Sequence, residues 1–356
     1  MSNFWSDMAK RTAPYVPGEQ IHEPDILKLN TNENPYPPSP NVIDAIQQEV
    51  GRSLRLYPSP TVDSLRHAIA NTYELSKENV FVGNGSDEVL AFSFMAFFEE
   101  HKVIRFPAIT YSFYPVYAKL FNIPYEEVSL QEDFSMNPEA FFQSKGGVIF
   151  PNPNAPTSLY VSLDDIAEIV QQNEDQVVII DEAYIDFASE SAVSLVNKYD
   201  NVLIVQTMSK SRSLAGLRVG FALGHPDLIE ALIRIKDSIN SYTMDRLAIA
   251  GATAAIKDTT YFQETTRKII ETRQWVMKEM KKRGFHTLAS QANFIFASHP
   301  TEKAQDIYEK LKQEGVLVRH FQKQGIQNYL RITIGKDDDM KKFFTKLDNI
   351  INASHH

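Results

Sequence analysis

Residues 205–220 read VQTMSKSRSLAGLRVG and carry the strongest signal in the chain. The stretch opens with apolar residues that predict a β-strand, and the residues after it are rich in hydroxyls and cations. Thr207 and Ser209, together with Arg218, form a pattern suited to holding a phosphate group. Lys210 follows the strand and suits a Schiff-base nucleophile if burial or a neighbouring cation lowers its pKa. Taken alone, the same residues also fit a solvated basic loop.

Around this segment, apolar runs alternate with helical patterns. The predicted strands are Val80–Gly83, Val103–Phe106, Val148–Phe150, Val177–Ile180, Val202–Gln206 and Val219–Leu223. Such an alternation predicts an α/β fold with a mostly parallel central sheet covered by helices on both faces. In an open sheet of this kind, the functional site lies outside the carboxyl ends of the strands. We therefore expect functional residues just after the strands.

The pattern changes after Pro226. Three helical segments come first, followed by three short strand candidates with helices between and after them, namely Asn293–Phe296, Val316–Arg319 and Tyr329–Thr333. This order predicts a second, smaller α+β domain. We place the large domain at residues 40–240, and we expect residues 1–39 and 241–356 to form the small domain and an N-terminal arm.

Two further segments end a predicted strand with polar residues. In residues 177–184, VVIIDEAY, Asp181 could pair with a protonated pyridine nitrogen and Tyr184 could donate to an oxygen of the same ring. Asp181 could equally be a helix N-cap. Residues 82–88, VGNGSDE, join a strand to a helix, and free helix N-terminal amides suit a phosphate, although an ordinary capped turn also fits. Close approach of the backbone to a ligand is expected at Gly216 and Gly220.

The composition of the chain excludes several classes of protein. Lys and Arg total 36 and Asp and Glu total 45 among 356 residues, so the net charge of −9 creates no field that favours nucleic acid or an anionic membrane. The absence of cysteine excludes disulfides, thiolate metal sites and cysteine nucleophiles. No stretch approaches the roughly 20 apolar residues that span a bilayer. The histidines lack paired metal-ligand spacing, so we expect no metal site.

Taken together and in this order, the motifs resemble the fold-type I pyridoxal-phosphate enzymes, specifically the class II aminotransferases. The resemblance covers nearly the whole chain, and more narrowly the chain is similar to the histidinol-phosphate aminotransferase family. The segments that carry the narrower match are Ala13–Tyr15 (APY), Leu29–Pro35 (LNTNENP), Leu56–Pro58 (LYP), Gly85–Glu88 (GSDE), Thr110–Tyr111 (TY), Asp181–Tyr184 (DEAY), Ala215–Arg218 (AGLR) and Leu330–Thr333 (LRIT).

The resemblance implies pyridoxal 5'-phosphate as the cofactor. Lys210 is implied to bind it as a Schiff base and later to move the substrate Cα proton. Asp181 is implied to keep the pyridine nitrogen protonated, Tyr184 to donate to the ring 3-oxygen and Tyr111 to stack on the ring, although Tyr111 could also be core packing. The residues implied to hold the cofactor phosphate are Ser86, Asp87, Thr207, Ser209, Arg218 and Tyr57 of the partner subunit.

One segment departs from the family pattern. The family has Pro-Asn-Asn-Pro-Thr-Gly before the acidic strand, with the second Asn contacting the ring oxygen, whereas residues 151–158 read PNPNAPTS. Ala155 therefore stands where that Asn is expected, and Asn154 is one residue early. We predict that the loop presents Asn154 to the ring. Loss of one neutral hydrogen bond, worth roughly 1 kcal/mol, would tune the ring without abolishing activity.

The resemblance also implies the substrate contacts. Arg331 matches the family's Arg for the α-carboxylate of glutamate, and Arg319 matches its Arg for the substrate phosphate, assisted by Tyr15. Asn32 is implied as a further substrate-binding residue. The planar fork of Arg suits both anions, although an Arg at a strand end could also be a surface cation.

The function implied is a cytoplasmic homodimeric aminotransferase of histidine biosynthesis. It would interconvert L-histidinol phosphate plus 2-oxoglutarate with imidazole-acetol phosphate plus L-glutamate. Three alternatives stay open: an aromatic amino-acid transaminase, a threonine-phosphate decarboxylase, and a cofactor-binding regulatory module without catalysis. Such a module usually carries a DNA-binding domain, for which residues 1–30 are too short.

Overall fold

The computed structural model describes residues 3–15, 19 and 25–353. The helices in this part of the chain are α1 (Asp7–Arg11), α2 (Pro40–Glu49), α3 (Asp63–Thr72), α4 (Gly85–Phe97), α5 (Tyr114–Leu120), α6 (Leu163–Gln171), α7 (Pro226–Ile239), α8 (Arg246–Lys257), α9 (Thr259–Lys282), α10 (Ala304–Gln313) and α11 (Asp337–Ala353). Most begin at a side chain that accepts from a free backbone N–H; Ser162, for example, caps α6 through the amide of Asp165. Within the described ranges, no helix is long and apolar enough to cross a membrane.

Strands occupy the positions where the apolar runs lie. They are β1 (Leu27–Lys28), β2 (Val80–Asn84), β3 (Ile104–Pro107), β4 (Tyr125–Val128), β5 (Val148–Pro151), β6 (Val178–Asp181), β7 (Val202–Thr207), β8 (Val219–Gly224), β9 (His286–Thr287), β10 (Phe294–Ser298), β11 (Val316–Leu317), β12 (Arg319–His320) and β13 (Leu330–Thr333). The strand predicted at Val316–Arg319 is divided between β11 and β12.

The central sheet has seven strands in the order β2-β8-β7-β6-β5-β3-β4. The pairs β7–β6, β6–β5, β5–β3 and β3–β4 are parallel, whereas β8 runs antiparallel to both of its neighbours. Because β5, β6 and β7 are parallel neighbours, their carboxyl ends meet at one edge. The prediction of a mostly parallel sheet is confirmed, and the residues after these strands lie together.

Helices cover both faces of this sheet because its strands are apolar on both sides. Ile180 and Ile204 face one core, which is completed by residues of α2, α3, α6 and α8. Ile179 and Leu203 face the opposite core, which is completed by residues of α4, α5 and α7. Successive residues of a strand point to opposite faces, so continuous apolar runs require cover on both sides.

A second, four-stranded antiparallel sheet has the order β12-β13-β10-β9. Its core contains Phe294 and Ile332 together with residues of α9, α10 and α11. The N-terminal region joins this part of the molecule, since β1 pairs in parallel with β11 and aligns Leu27 with Val316. These contacts agree with a small domain built from both ends of the chain. The domain boundary near residue 240 stays a prediction.

Candidate active site

A cavity of about 260 Å³ lies at the carboxyl ends of the central strands. Its walls come from the loops after β3, β5, β6 and β7, from the start of α4, from residues 30–33 and from the second sheet. The predicted site residues that line it are Tyr15, Asn32, Ser86, Asp87, Tyr111, Asp181, Tyr184, Thr207, Ser209, Lys210, Arg218, Arg319 and Arg331. Of the site residues named from the sequence, Asn154 and Tyr57 do not line it.

Lys210 lies in the loop after β7, and its amine enters the cavity. The amine Nζ donates to the carbonyl of Thr31 at 3.0 Å. The Asn34 amide donates to the carbonyl oxygens of Lys210 at 2.9 Å and of Ser211 at 3.1 Å, which fixes the backbone at this point. Removal from water, followed by the nearby Arg331 cation, lowers the pKa of Lys210 to about 8. The loop is therefore an ordered wall of the cavity and not a solvated basic loop.

Asp181 is the last residue of β6 and lies beneath the same cavity. Its carboxylate accepts from the hydroxyl of Tyr114 at 2.9 Å and from the backbone N–H of Ala183 at 3.3 Å. Burial raises the pKa of Asp181 to about 6 despite these donors. Tyr114 contributes to the site and was missed from the sequence, because its separation of 67 residues from Asp181 leaves no local signal.

Tyr184 is held between two parts of the chain. Its ring makes an edge contact with Phe294 of β10, with ring centroids 5.0 Å apart. Its hydroxyl accepts from the side-chain amide of Asn32 at 2.9 Å. Burial raises the pKa of Tyr184, so the phenol is protonated at neutral pH. Asn32, predicted as a substrate contact, lines the cavity, but its amide nitrogen is already bound to Tyr184.

The predicted phosphate-binding residues converge at one corner of the cavity. The guanidinium of Arg218 donates to the Asp87 carboxylate at 3.0 Å, and the Tyr111 hydroxyl donates to the other oxygen of that carboxylate at 2.8 Å. The Thr207 hydroxyl donates to the Ser209 hydroxyl at 3.0 Å. A cation, two hydroxyls and the first turn of α4 thus surround this corner, which is the chemistry that a phosphate requires.

Neither of the two glycines of this region lines the cavity, and their approach to a ligand stays a prediction. A Cβ atom at Gly220 would lie 2.3 Å from the backbone nitrogen of Ser86, because β8 packs directly against the start of α4. Gly216 has open space, with no atom within 4 Å of a Cβ placed there. Gly220 is therefore required for contact between two parts of the protein, and that contact places Ser86 at the corner.

Two arginines lie side by side on neighbouring strands of the second sheet. Arg319 of β12 and Arg331 of β13 are directly aligned in an antiparallel pair, and both line the cavity. Arg331 donates to the carbonyl of Asn30 at 2.8 Å, while its buried Nε has no hydrogen-bond partner among the described residues. Burial lowers the pKa of Arg331, and the charge of Arg319 lowers it further. Like charges directly opposite each other are destabilising, so this arrangement favours an anion between them.

The structure places Asn154 away from this cavity. Its side-chain amide donates to the carbonyl of Ile109 at 3.0 Å and to the Thr157 hydroxyl at 2.9 Å. Ala155 lines the cavity in its stead. The loop therefore does not shift to present Asn154, and this placement argues against the predicted ring contact. The physical reason is that the Asn154 amide secures its own loop.

Tyr15 and Tyr57 occupy different environments. Tyr15 lines the cavity and stacks on Phe113, with ring centroids 4.2 Å apart. Tyr57 is 79% exposed and stacks on Tyr242 at 4.6 Å, outside the cavity of its own chain. The placement of Tyr15 agrees with its predicted role, whereas Tyr57 does not line the cavity of its own chain.

The side chains present fit pyridoxal phosphate. One cavity is lined by an amine with a lowered pKa, a carboxylate at a strand end and a phenol. The corner with Arg218, Thr207 and Ser209, called the phosphate corner below, lies beside them. Lys210, Asp181 and Tyr184 could hold the ring, and Arg218 with Thr207 could hold the phosphate. In the described part of the chain, no cluster of three or more His, Asp or Glu residues could hold a metal ion.

Comparisons with known proteins agree with this geometry. The model of the family "Aminotransferase class I and II" matches residues 24–347. Histidinol-phosphate aminotransferase 1 of Oceanobacillus iheyensis is 58% identical over 354 residues, covering 99% of this chain and 100% of the relative. Histidinol-phosphate aminotransferase of Clostridium acetobutylicum is 57% identical over 351 residues, covering 99% and 100%.

A solved structure supports the fold. Histidinol-phosphate aminotransferase from Sinorhizobium meliloti, in complex with pyridoxal-5'-phosphate, superposes with a TM-score of 0.89, 23% identity and coverage of 99% of each chain. The chain belongs to the class I and II aminotransferases and, within them, to the histidinol-phosphate aminotransferase family.

Proposed function

We propose that this protein transfers an amino group between L-histidinol phosphate and 2-oxoglutarate, giving imidazole-acetol phosphate and L-glutamate in histidine biosynthesis. Curated relatives that carry this activity in their names match nearly the full chain at 54–58% identity. Both partners in the exchange are anions, one through its phosphate and the other through its carboxylates. The site must accept them in turn.

The observation that carries the proposal is the aligned pair of Arg319 and Arg331. Two guanidinium groups on neighbouring strands can bind an anion bidentately from two directions. Arg331 is fixed by its bond to the Asn30 carbonyl, so it presents a constant geometry to a carboxylate. Arg319 lies beside Phe321, with its guanidinium carbon 5.6 Å from the ring centroid, and it is assigned to the substrate phosphate.

In the proposed mechanism, Lys210 has two tasks. Its amine, with a pKa of about 8, is sufficiently deprotonated near neutral pH to attach the cofactor covalently. As a free amine it would then take the proton from the substrate Cα and hold it for return during the same transfer. When bound, pyridoxal phosphate supplies the electron sink that makes this proton removable. The Thr31 carbonyl, 3.0 Å from Nζ, orients the amine for both tasks.

Asp181 and Tyr184 set the charge around the ring in this proposal. The Asp181 carboxylate would stabilise a proton on the ring nitrogen, and the Tyr114 hydroxyl, 2.9 Å away, holds that carboxylate in place. Tyr184 would donate its hydroxyl hydrogen to the ring 3-oxygen. Binding of a protonated ring would lower the pKa of Asp181 back toward its ordinary value, because an opposite charge offsets the cost of burial.

We also propose that the protein is a homodimer in which each active site contains residues of both chains. We propose that it is located in the cytoplasm. Support for the dimer comes from apolar side chains near Tyr57 that are exposed in a single chain, since Leu54 is 51% and Leu56 52% exposed. A second copy would cover them and would bring the partner's Tyr57 to the phosphate corner. Cell fractionation with an antibody to this chain tests the location.

A substrate panel tests the proposed activity. Histidinol phosphate, phenylalanine, tyrosine and threonine phosphate should each be assayed with 2-oxoglutarate, and we expect histidinol phosphate to give the highest kcat/KM. A higher value for an aromatic amino acid would contradict the substrate assignment. Release of carbon dioxide from threonine phosphate without 2-oxoglutarate would indicate a decarboxylase. Lys210→Ala is the matched control and should show no turnover with any of the four.

A further inference from the structure

A series of buried hydrogen bonds, called the relay below, connects Thr333 of β13 through Asn32 to the phenol of Tyr184. The backbone N–H of Asn32 donates to the Thr333 hydroxyl at 3.0 Å, and that hydroxyl donates to the Asn32 side-chain carbonyl at 3.1 Å. The Asn32 amide nitrogen donates to the Tyr184 hydroxyl at 2.9 Å. Asn32 and Thr333 are only 1% and 4% exposed, so water does not compete for these groups.

The hydrogen bonds among these three residues form one consistent set. The Asn32 backbone N–H can only donate, so the Thr333 hydroxyl accepts from it, and the single hydrogen of that hydroxyl is donated to the Asn32 side-chain oxygen. With its oxygen bound to Thr333, the Asn32 amide turns its NH₂ group toward Tyr184. The Tyr184 oxygen therefore accepts, and its own hydrogen has to point elsewhere.

That hydrogen is available to the cavity. Tyr184 lines the cavity, and no other hydrogen bond of its hydroxyl is present among the described residues. The backbone carbonyl of Asn32 accepts from the Asn293 side-chain amide at 2.9 Å, which holds the Asn32 backbone in place. Because Ala155 has no polar side chain and Asn154 is bound elsewhere, neither can take over donation from this loop.

We propose that Asn32 and Thr333 are positioning residues that force the Tyr184 hydroxyl to act as a donor into the cavity, toward the 3-oxygen of bound pyridoxal phosphate. The inference rests on the proposed role of Tyr184. It assigns Asn32 an orienting task in place of the substrate contact that the sequence suggested. A donor aimed at that oxygen stabilises its anionic form, so the relay lowers the pH at which the bound cofactor loses its proton.

The test is a pH titration of the visible absorption band of the cofactor bound to the intact enzyme. Thr333→Val keeps the shape of the side chain and removes the hydroxyl, and we expect it to raise the titration midpoint by about half a unit to one unit. Thr333→Ser restores the hydroxyl and should return the midpoint to the wild-type value. Thr265→Val changes an equally buried threonine of α9 and should leave the midpoint unchanged.

A double-mutant cycle separates orientation from a general packing effect. Tyr184→Phe should raise the midpoint at least as far as Thr333→Val, and adding Thr333→Val to Tyr184→Phe should raise it no further. An unchanged midpoint in Thr333→Val, or an equal shift with and without the phenol, would overturn the inference. Thr333→Ala introduces no additional atoms and provides the same test if Thr333→Val folds poorly.

Failure of the site assignment gives a different result. Wild type and Lys210→Ala could show the same visible absorption band of the cofactor, or neither could show one. Either result would mean that Lys210 does not bind the cofactor, and it would contradict both the proposed function and the inference. A normal wild-type band that titrates identically in Thr333→Val overturns the inference alone.

Discussion

Residues 31–34 act on both central side chains of the site. Thr31 accepts from the Lys210 amine, Asn34 holds the Lys210 backbone and Asn32 orients Tyr184. The motifs around Lys210 and Tyr184 were recognisable because each is local in sequence. The contacts from residues 31–34 that hold these side chains were not recognisable. They join residues that lie 152 to 179 positions apart, and pairing at that distance leaves no sequence pattern.

The lowered pKa of Lys210 predicts a pH dependence for cofactor attachment. Only the neutral amine attacks, so the second-order rate of band formation from apoenzyme and pyridoxal phosphate should rise with pH and level off above about 8. Arg331→Gln removes a cation that lowers this pKa and should move the midpoint upward. Glu33→Gln removes a carboxylate that raises the pKa and should move it downward. A wild-type midpoint near 10, or shifts of the opposite sign, would contradict this interpretation.

At the scale of elements, six of the seven strands of the central sheet were predictable and one of its two edge strands, β4, was not. All six strands predicted for the central sheet are present, because each consists mainly of buried apolar residues. The seventh, β4, has the sequence YEEV and lies at the edge, where its glutamates are exposed. An edge strand needs no apolar run, so its sequence carries no strand signal.

The contact between β8 and α4 predicts a large effect of a single methyl group. Gly220→Ala would place a Cβ 2.3 Å from the Ser86 nitrogen, and because backbone cannot move aside cheaply, we expect a loss of about 1–3 kcal/mol or more in the free energy of unfolding. Gly216→Ala is the matched control, since its Cβ meets no atom within 4 Å. Urea denaturation of both variants provides the measurement, and equal stabilities would show that β8 can separate from α4.

At the scale of the whole molecule, the exposed aromatic pair Tyr57 and Tyr242 indicates how the proposed dimer is assembled. The two rings stack on each other at 4.6 Å but remain 79% and 42% exposed. A monomer gains little from holding two large rings in water. A second copy would bury them and place the partner's Tyr57 near the phosphate corner.

Composite sites predict complementation between two defective chains. Lys210→Ala lacks the amine, and Tyr57→Ala lacks the phenol that would serve the partner. In a mixed dimer one of the two sites has both residues intact, so random exchange should restore about a quarter of wild-type activity at limiting cofactor. Lys210→Ala mixed with a chain carrying both substitutions should recover nothing. Activity equal to the average of the two parents would place Tyr57 in its own chain's site or outside any site.

The bond between Asn32 and Thr333 joins residues 301 positions apart, and β1 pairs with β11 close by. During synthesis the N-terminal part of this site leaves the ribosome long before its counterpart exists. The large sheet can fold in the meantime, but residues 31–34, which contact Lys210, cannot bond to Thr333 until β13 emerges. Capture of the cofactor in its final geometry is therefore a late event in biogenesis, which follows completion of nearly the entire polypeptide.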